Sequence, residues 1–303
     1  MTGSIVLATE QGLGYLAKAF YDNGIIDKIA IHPHSTRKSH TEWYPDAVSV
    51  SELLECDTIL FFETPFDLDF MKEAKAKGIK IVFMPMYECS NPRIVEMADV
   101  IINPSDLDQE YYPDGIRLNV PVDVKWRKRS VAKVFVHNAG NGGLGGRNGT
   151  TELLKAMKHV KSPIKLIVRS QMPIKQIDDP RIEYRIGQFD DIWAEGDVFV
   201  FPEKFNGLSL PAQEAYASGM VVMSGDRFPM NTWLPKEHLI PVKGTTKERL
   251  AVLIDVAEFS PVDIAKSIDN IYGKSIIITS EQGREWAEQN SWEVLAPKYK
   301  ELL

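Results

Sequence analysis

Short β-rich apolar runs alternate with helix-like segments along the whole chain, and this alternation is the signature of parallel βαβ units. The first set comprises SIVLAT (4–9), KIAIH (28–32), TILFFE (58–63), KIVFMP (80–85) and VIINP (100–104), separated by helical patterns such as YLAKAFYDNG and FMKEAKAKG. Within each run the apolar positions are consecutive, which predicts strands covered on both faces. After LNVPVDVKWRKR the pattern restarts with KVFVHN (133–138), PIKLIVRS (163–170), RIEYRIG (181–187), DVFVFP (197–202) and MVVMSG (220–225). The restart predicts a second doubly wound domain. The length of 303 residues accommodates two domains of about 130 to 170 residues, a size at which one hydrophobic core suffices. The join falls near 121–132, where Pro121 and a basic run interrupt the period. The predicted division is 1–124, 130–284 and a C-terminal helix over 285–303, interrupted near Asn290 to Trp292.

Several function classes are excluded early. No apolar run approaches the roughly 18 residues of a membrane span, and MTGSIVLATEQ lacks the regions of a signal peptide, so a cytoplasmic protein is expected. Cys56 and Cys89 are the only cysteines, which excludes a disulfide framework or a four-cysteine zinc site. A net charge of -7 argues against wholesale electrostatic binding to nucleic acid, although local basic patches can coexist with it. Two such patches exist: IHPHSTRKSHT (31–41), with His32, His34, Arg37 and Lys38, and KWRKRSVAK (125–133). A solvated surface is the plainer reading of both.

Ligands of open α/β sheets sit outside the carboxyl ends of the strands. The stretch VFVHNAGNGGLGGRNGTTELLKAM reads strand, glycine-rich loop, helix, a context that aims backbone N–H groups at an anion. Six glycines between Gly140 and Gly149, Gly142 and Gly143 among them, permit close backbone approach, and Arg147 adds a fork of donors suited to phosphate. A nicotinamide site needs G-x-G-x-x-G spacing. That spacing fails here, because Gly143 and Gly145 are followed by Asn148, and the next strand ends in Arg169 and Ser170 with no ribose-binding acid. His137 before the loop reads equally as a phosphate contact or a satisfied core histidine.

The segment DVFVFPEKFNGLSLPAQEAYASGMVVM (197–223), with RNGTTELLKA, resembles the C-terminal half of the large retaining family 4 of two-domain glycosyltransferases. The motif there is a Glu, seven residues, Glu, ahead of an EA-x-A-x-G helix. The resemblance covers most of 130–303 and is only architectural before that. NGLSLPAQEAYASGM, RNGT and DRFPMNTWLP are most similar, within the family, to glycosyltransferases of bacteriophages. It implies an α/β protein of GT-B architecture: two Rossmann-like parallel-sheet domains facing a cleft, with a C-terminal helix packing back toward the first. It implies a nucleoside diphosphate sugar as donor, a UDP-sugar being expected, transfer with retention and no obligatory metal. Glu214 then holds the donor ribose, Arg147 the diphosphate with Lys204 and Arg169 nearby, and Gly207, Leu208 and Ser209 line the turn. The base rests on backbone near Arg185 to Gln188, Ile186 among them. Asn206 stands where the family has its first glutamate, and Glu203 lies three residues earlier.

Three strand ends of the first half are candidates for the acceptor side: Gln11, Gly12 and Gly14; Glu63 and Thr64; Tyr87 and Glu88. Glu63 and Glu88 read as hydroxyl ligands or a base, with helix capping as the alternative. DLD at 67–69 and 106–108 reads as helix starts, so no metal site is expected. If the phage resemblance extends to the acceptor, a modified DNA base is a candidate, with His32, Arg37, Lys38 and the 125–129 run along the phosphates. Glycan, lipid and protein acceptors stay open, as does a non-catalytic nucleotide-sugar-binding protein.

Overall fold

A computed structural model describes residues 1–35, 37–123, 125–140, 146–187 and 191–303. The chain divides into two units, Met1–Pro121 with Leu250–Val252 and Trp292–Leu303, and Val122–Arg249 with Leu253–Ser291.

The first unit is built on β1 (Thr2–Leu7), β2 (Lys28–His32), β3 (Thr58–Phe62), β4 (Lys80–Met84), β5 (Val100–Asn103) and β6 (Ile116–Arg117), ordered β2-β1-β3-β4-β5-β6. Every pairing is parallel. Four consecutive residues of β4, Ile81 to Met84, have no exposed surface, because helices cover the sheet on both sides. Those helices are α1 (Gly12–Asp22), α2 (Leu68–Ala76), α3 (Pro92–Val95) and α4 (Asp106–Tyr111). Asp67 caps α2 by accepting from Phe70 N–H at 2.8 Å, and Ser105 caps α4, so both DLD triplets do lie at helix starts.

The second unit repeats the plan with β7 (Val134–Gly140), β8 (Lys165–Ser170), β9 (Ile182–Ile186), β10 (Val198–Phe201), β11 (Val221–Gly225) and β12 (Leu239–Ile240), ordered β12-β11-β10-β7-β8-β9 and again parallel throughout. Two apolar clusters form, one around Phe135, Leu153, Leu166 and Ile268 and the other around Val136, Trp193, Phe199 and Ala215. Alternate residues Phe135 and Val136 thus point to opposite sides of β7. The helices are α5 (Thr150–Ala156), α6 (Leu210–Ala217), α7 (Met230–Trp233), α8 (Pro261–Ile271) and α9 (Ile277–Gln289). Between β12 and α8 comes an antiparallel hairpin of β13 (Val242–Arg249) and β14 (Leu253–Phe259). The sequence reading contained no such hairpin, since β13 is exposed along nearly its whole length and shows no apolar alternation.

The helical stretch over 285–303 is broken at the interruption expected near Asn290 to Trp292. Helix α9 ends at Asn290, whose Nδ2 donates to Trp286 O at 2.8 Å, and α10 (Trp292–Leu302) follows in the first unit. There Trp292 and Tyr299 set their rings edge-on to Phe20 at centroid distances of 5.6 and 4.9 Å, and Tyr299 OH donates to Asn119 O at 2.9 Å. Among the described residues no helix is long and apolar enough to cross a membrane.

Candidate functional site

In the second unit, the loops after β7 and β10 meet at the carboxyl edge of the sheet. Residues 141–145, and with them Gly142 and Gly143, lie outside the described residues. The chain then turns through Gly146 (φ 67) and Gly149 (φ 68). A Cβ on Gly149 would stand 2.1 Å from Pro202 O, so glycine is required there both by the left-handed backbone and by the close approach of the β10 loop. Lys204 N–H donates to Arg147 O at 2.7 Å, and the Arg147 guanidinium lies 5.9 Å above the Phe205 ring. Its Nε is buried without a hydrogen-bond partner among the described residues. Arg129 Nε is left over in the same way, so it is the place of Arg147, at the glycine turn against the β10 loop, that fits a guanidinium able to take an anion.

The turn 203–209 is closed on itself. Asn206 Nδ2 donates to Glu203 Oε1 at 2.7 Å, while its Oδ1 accepts from Leu208 and Ser209 N–H, both at 3.1 Å. Ser209 holds φ 47, a left-handed conformation at the start of α6 that costs a non-glycine residue about 1 kcal/mol or more. Glu203 is 1% exposed. Burial raises its carboxyl above the ordinary range, opposed by the charges of Arg227 and Arg147. Lys204 is engaged with Glu152, Nζ to Oε1 3.0 Å, whereas no ion pair of Arg147 is found among the described residues.

Glu214, half-buried in α6, accepts from Trp193 Nε1 at 3.1 Å. Burial pushes its carboxyl up to about 7, and the indole donor only partly offsets this. A carboxylate with capacity for further donors suits a vicinal diol. The phosphate reading of His137 is corrected. The ring has no exposed surface, meets Val200 O and Thr150 Oγ1 at 2.8 Å each, and burial lowers its pKa to about 4. Nδ1 donates to the carbonyl and neutral Nε2 accepts from the hydroxyl, so both nitrogens are satisfied. Arg169 is corrected too: its guanidinium, 4% exposed, donates to the Ile192 and Glu195 carbonyls and faces the protein. Ile186 ends β9 with 44% exposure. Gly207 and Leu208 are buried within the turn.

In the first unit the loops after β3, β4 and β5 are knitted together. Ser90 Oγ donates to Glu63 O at 2.6 Å and accepts from Met86 N–H at 2.9 Å. Tyr87 N–H donates to Asp108 Oδ1 at 2.8 Å, and the Tyr87 ring stacks on Tyr111. Glu88 is 3% exposed. Burial pushes the neighbouring Asp108 carboxyl up to about 7, with the Glu88 charge adding to the effect. Glu88 is therefore not a solvated loop acid, and the following helices are capped by Asp67 and Asn91 rather than by Glu63 or Glu88. Gln11 precedes α1 without a side-chain capping bond, Gly12 opens the helix, and Gly14 packs on the β1 end, where a Cβ would stand 2.1 Å from Thr9 O. His32 stacks on Phe66 at 5.0 Å. Arg37 and Lys38 are exposed.

No protein-family model matches the chain, and no curated protein matches it in sequence. Solved structures match it over nearly its full length. HepE of Anabaena in complex with UDP and glucose superposes with a TM-score of 0.70 at 12% identity, over 100% of this chain and 99% of that one. The lipopolysaccharide outer core galactosyltransferase WaaB in its apo form gives 0.63 at 11% identity, over 99% and 97%. Sucrose-phosphate synthase of Thermosynechococcus elongatus gives 0.63 at 14%, again over 99% and 97%. The fold is that of GT-B glycosyltransferases. At these identities the likeness is one of architecture.

Within this GT-B fold the basic run at 125–129 does not form an open cationic face. Arg127 pairs with Asp191 at 2.6 Å, and Arg129, 9% exposed, donates to Trp193 O and Ala194 O at 2.7 and 3.3 Å. Only Lys125 and Lys128 remain exposed. The run instead fastens the segment that carries Trp193, the indole that meets Glu214. Trp193, Arg227 and Asp108 escaped the sequence reading. Trp193 lies in the polar stretch DDIWAEGD, where one indole after two acids was the only available signal.

Proposed function

We propose that this chain is a glycosyltransferase that takes a sugar from a UDP-sugar and delivers it to an acceptor hydroxyl with retention. The observation that carries the reading is the place of the Arg147 guanidinium, over the Phe205 ring of the 203–209 turn in a GT-B fold, with an Nε that has no hydrogen-bond partner among the described residues. Glu214 and the structural likeness to a protein solved with UDP and glucose support it. In this reading Arg147 stabilises the charge that develops on the leaving diphosphate, so no obligatory metal is needed. The bond from the anomeric carbon to the phosphate oxygen breaks, and a bond to the acceptor oxygen forms on the same face. The acceptor proton passes to the departing phosphate oxygen, so no enzyme nucleophile is consumed. Glu63, Tyr87 and Glu88, held at the strand ends of the first unit, are the proposed acceptor-side groups.

A thermal-shift screen with nucleoside diphosphates and their sugars tests the donor. UDP or a UDP-sugar at about 100 times its Kd should add roughly 2.7 kcal/mol of apparent stability, read as a raised midpoint. Indifference to every nucleotide sugar would remove the donor reading, and binding without turnover would favour a non-catalytic role. An inverted anomer in the product would overturn retention.

A modified base in DNA stays the proposed acceptor of the phage-like reading, on the exposed Arg37 and Lys38 alone. Replacing both with alanine is expected to weaken duplex binding and reduce the slope of log affinity on log salt by about 2. An unchanged salt slope would point to a glycan, lipid or protein acceptor.

A further inference from the structure

The donor-side turn holds one ionisable group that the proposed transfer does not use. Glu203 is 1% exposed, and a carboxylate so far from water persists only among partners that compensate its lost hydration. Those partners belong to the turn and to the loops that clamp it. Asn206 Nδ2 donates to Glu203 Oε1 at 2.7 Å, Arg227 Nη2 lies 3.5 Å from Oε2, and the Arg147 charge acts on the same carboxyl. Arg227 Nε also donates to the Glu203 carbonyl at 2.9 Å, and its Nη1 to the Asn206 carbonyl at 3.3 Å. An amide has a donor end and an acceptor end. By accepting from Nδ2, Glu203 decides that Oδ1 of Asn206 faces the backbone, where it gathers the N–H groups of Leu208 and Ser209. Those two N–H groups stand at the start of α6.

We propose that Glu203 is the positioning residue of the donor turn: acting through the Asn206 amide, it ties the Leu208 and Ser209 N–H groups to Oδ1 and so fixes the shape that the turn offers to sugar and diphosphate, and it supplies the counter-charge for Arg227. The proposal rests on the nucleotide-sugar reading of this site.

A charge exchange tests it. Asn206→Asp alone places two carboxylates in contact and is expected to lower the thermal midpoint, and to lower UDP-glucose affinity about tenfold or more, because a charge-assisted contact is turned into a repulsion. The double variant Glu203→Gln/Asn206→Asp restores one donor and one acceptor in the same space with the direction reversed, and keeps one negative charge beside the arginines. It is expected to regain the midpoint and to bring affinity back to within about threefold of wild type. Affinity is measured by calorimetry at a temperature where each protein is folded, so that a group acting only on stability would leave it unmoved. A single variant at wild-type affinity, or a double no better than the single, overturns the proposal. If Asn206→Asp does not fold, a folded double is the rescue expected and an unfolded double overturns it. If the wild type itself binds neither UDP nor UDP-glucose, the nucleotide-sugar reading fails, while recovery or non-recovery of the midpoint still decides whether Glu203 positions Asn206.

Discussion

Arg147→Ala is expected to reduce UDP affinity by roughly 10- to 100-fold, the worth of one or two charge-assisted contacts to phosphate. The fold should tolerate the change. The guanidinium is half-buried, its Nε has no hydrogen-bond partner among the described residues, and its ring contact with Phe205 at 5.9 Å is a weak one. The midpoint without ligand should therefore move little while the midpoint shift produced by UDP collapses. Arg147→Lys keeps the charge but loses the planar fork, so an intermediate loss is expected. Isothermal titration on the three proteins at two salt concentrations separates the contributions, because the part due to net charge weakens with ionic strength. Lys204→Ala should have the smaller effect, since Lys204 is already paired with Glu152. Equal affinity in the wild type and Arg147→Ala would show that the diphosphate is held elsewhere.

The second large effect concerns Glu214 and has two opposite slopes with pH. Burial holds its carboxyl at about 7 in the folded protein, whereas a glutamate in the unfolded chain releases its proton near 4.3. Between about pH 4.5 and 7 the native state therefore binds the extra proton, and stability contributed by this group falls as pH rises through that window. Glu214→Gln removes the slope, so the variant should gain midpoint relative to wild type at pH 8 and gain none at pH 4. Ligand binding runs the other way. Ribose hydroxyls donate to the ionised carboxylate, which lowers its pKa in the complex and makes binding release a proton. UDP affinity of the wild type should rise from pH 6 to 8 more steeply than that of Glu214→Gln, with the variant about tenfold weaker at pH 8. UDP itself titrates in this range, and the glutamine variant supplies that common background. Parallel pH profiles for the two proteins would exclude Glu214 from the nucleotide site.

Nine of the ten longer parallel strands were legible as runs of consecutive apolar residues, because a strand covered on both faces needs apolar side chains at every position, whereas the edge strand β9, IEYRI, showed instead as an alternation. The hairpin β13–β14 was not legible. VKGTTKER carries no apolar side chain after Val242 and is held as a strand by its pairing with LIDVAEF, where the buried Ile254, Val256, Ala257 and Phe259 supply the packing. At the candidate site, the glycine turn and the 203–214 segment were visible as motifs, but the duty of each polar group within them was not. Arg169 read as a ligand group in one dimension and His137 equally as a ligand or a core histidine, and both have internal partners.

What the sequence alone determined is the repeated βαβ plan, the restart after 130 and the strand ends from which the candidate loops spring, since all of these follow from local periodicity. What only the tertiary structure decided is which charges remain open. Arg127 meets Asp191 and Arg129 meets the Trp193 carbonyl across more than 60 positions of chain, and His137 finds Val200 across 63. A hydrogen bond depends on distance and direction in space, and its partner is chosen by how the strands are ordered in the sheet, which no window of sequence contains.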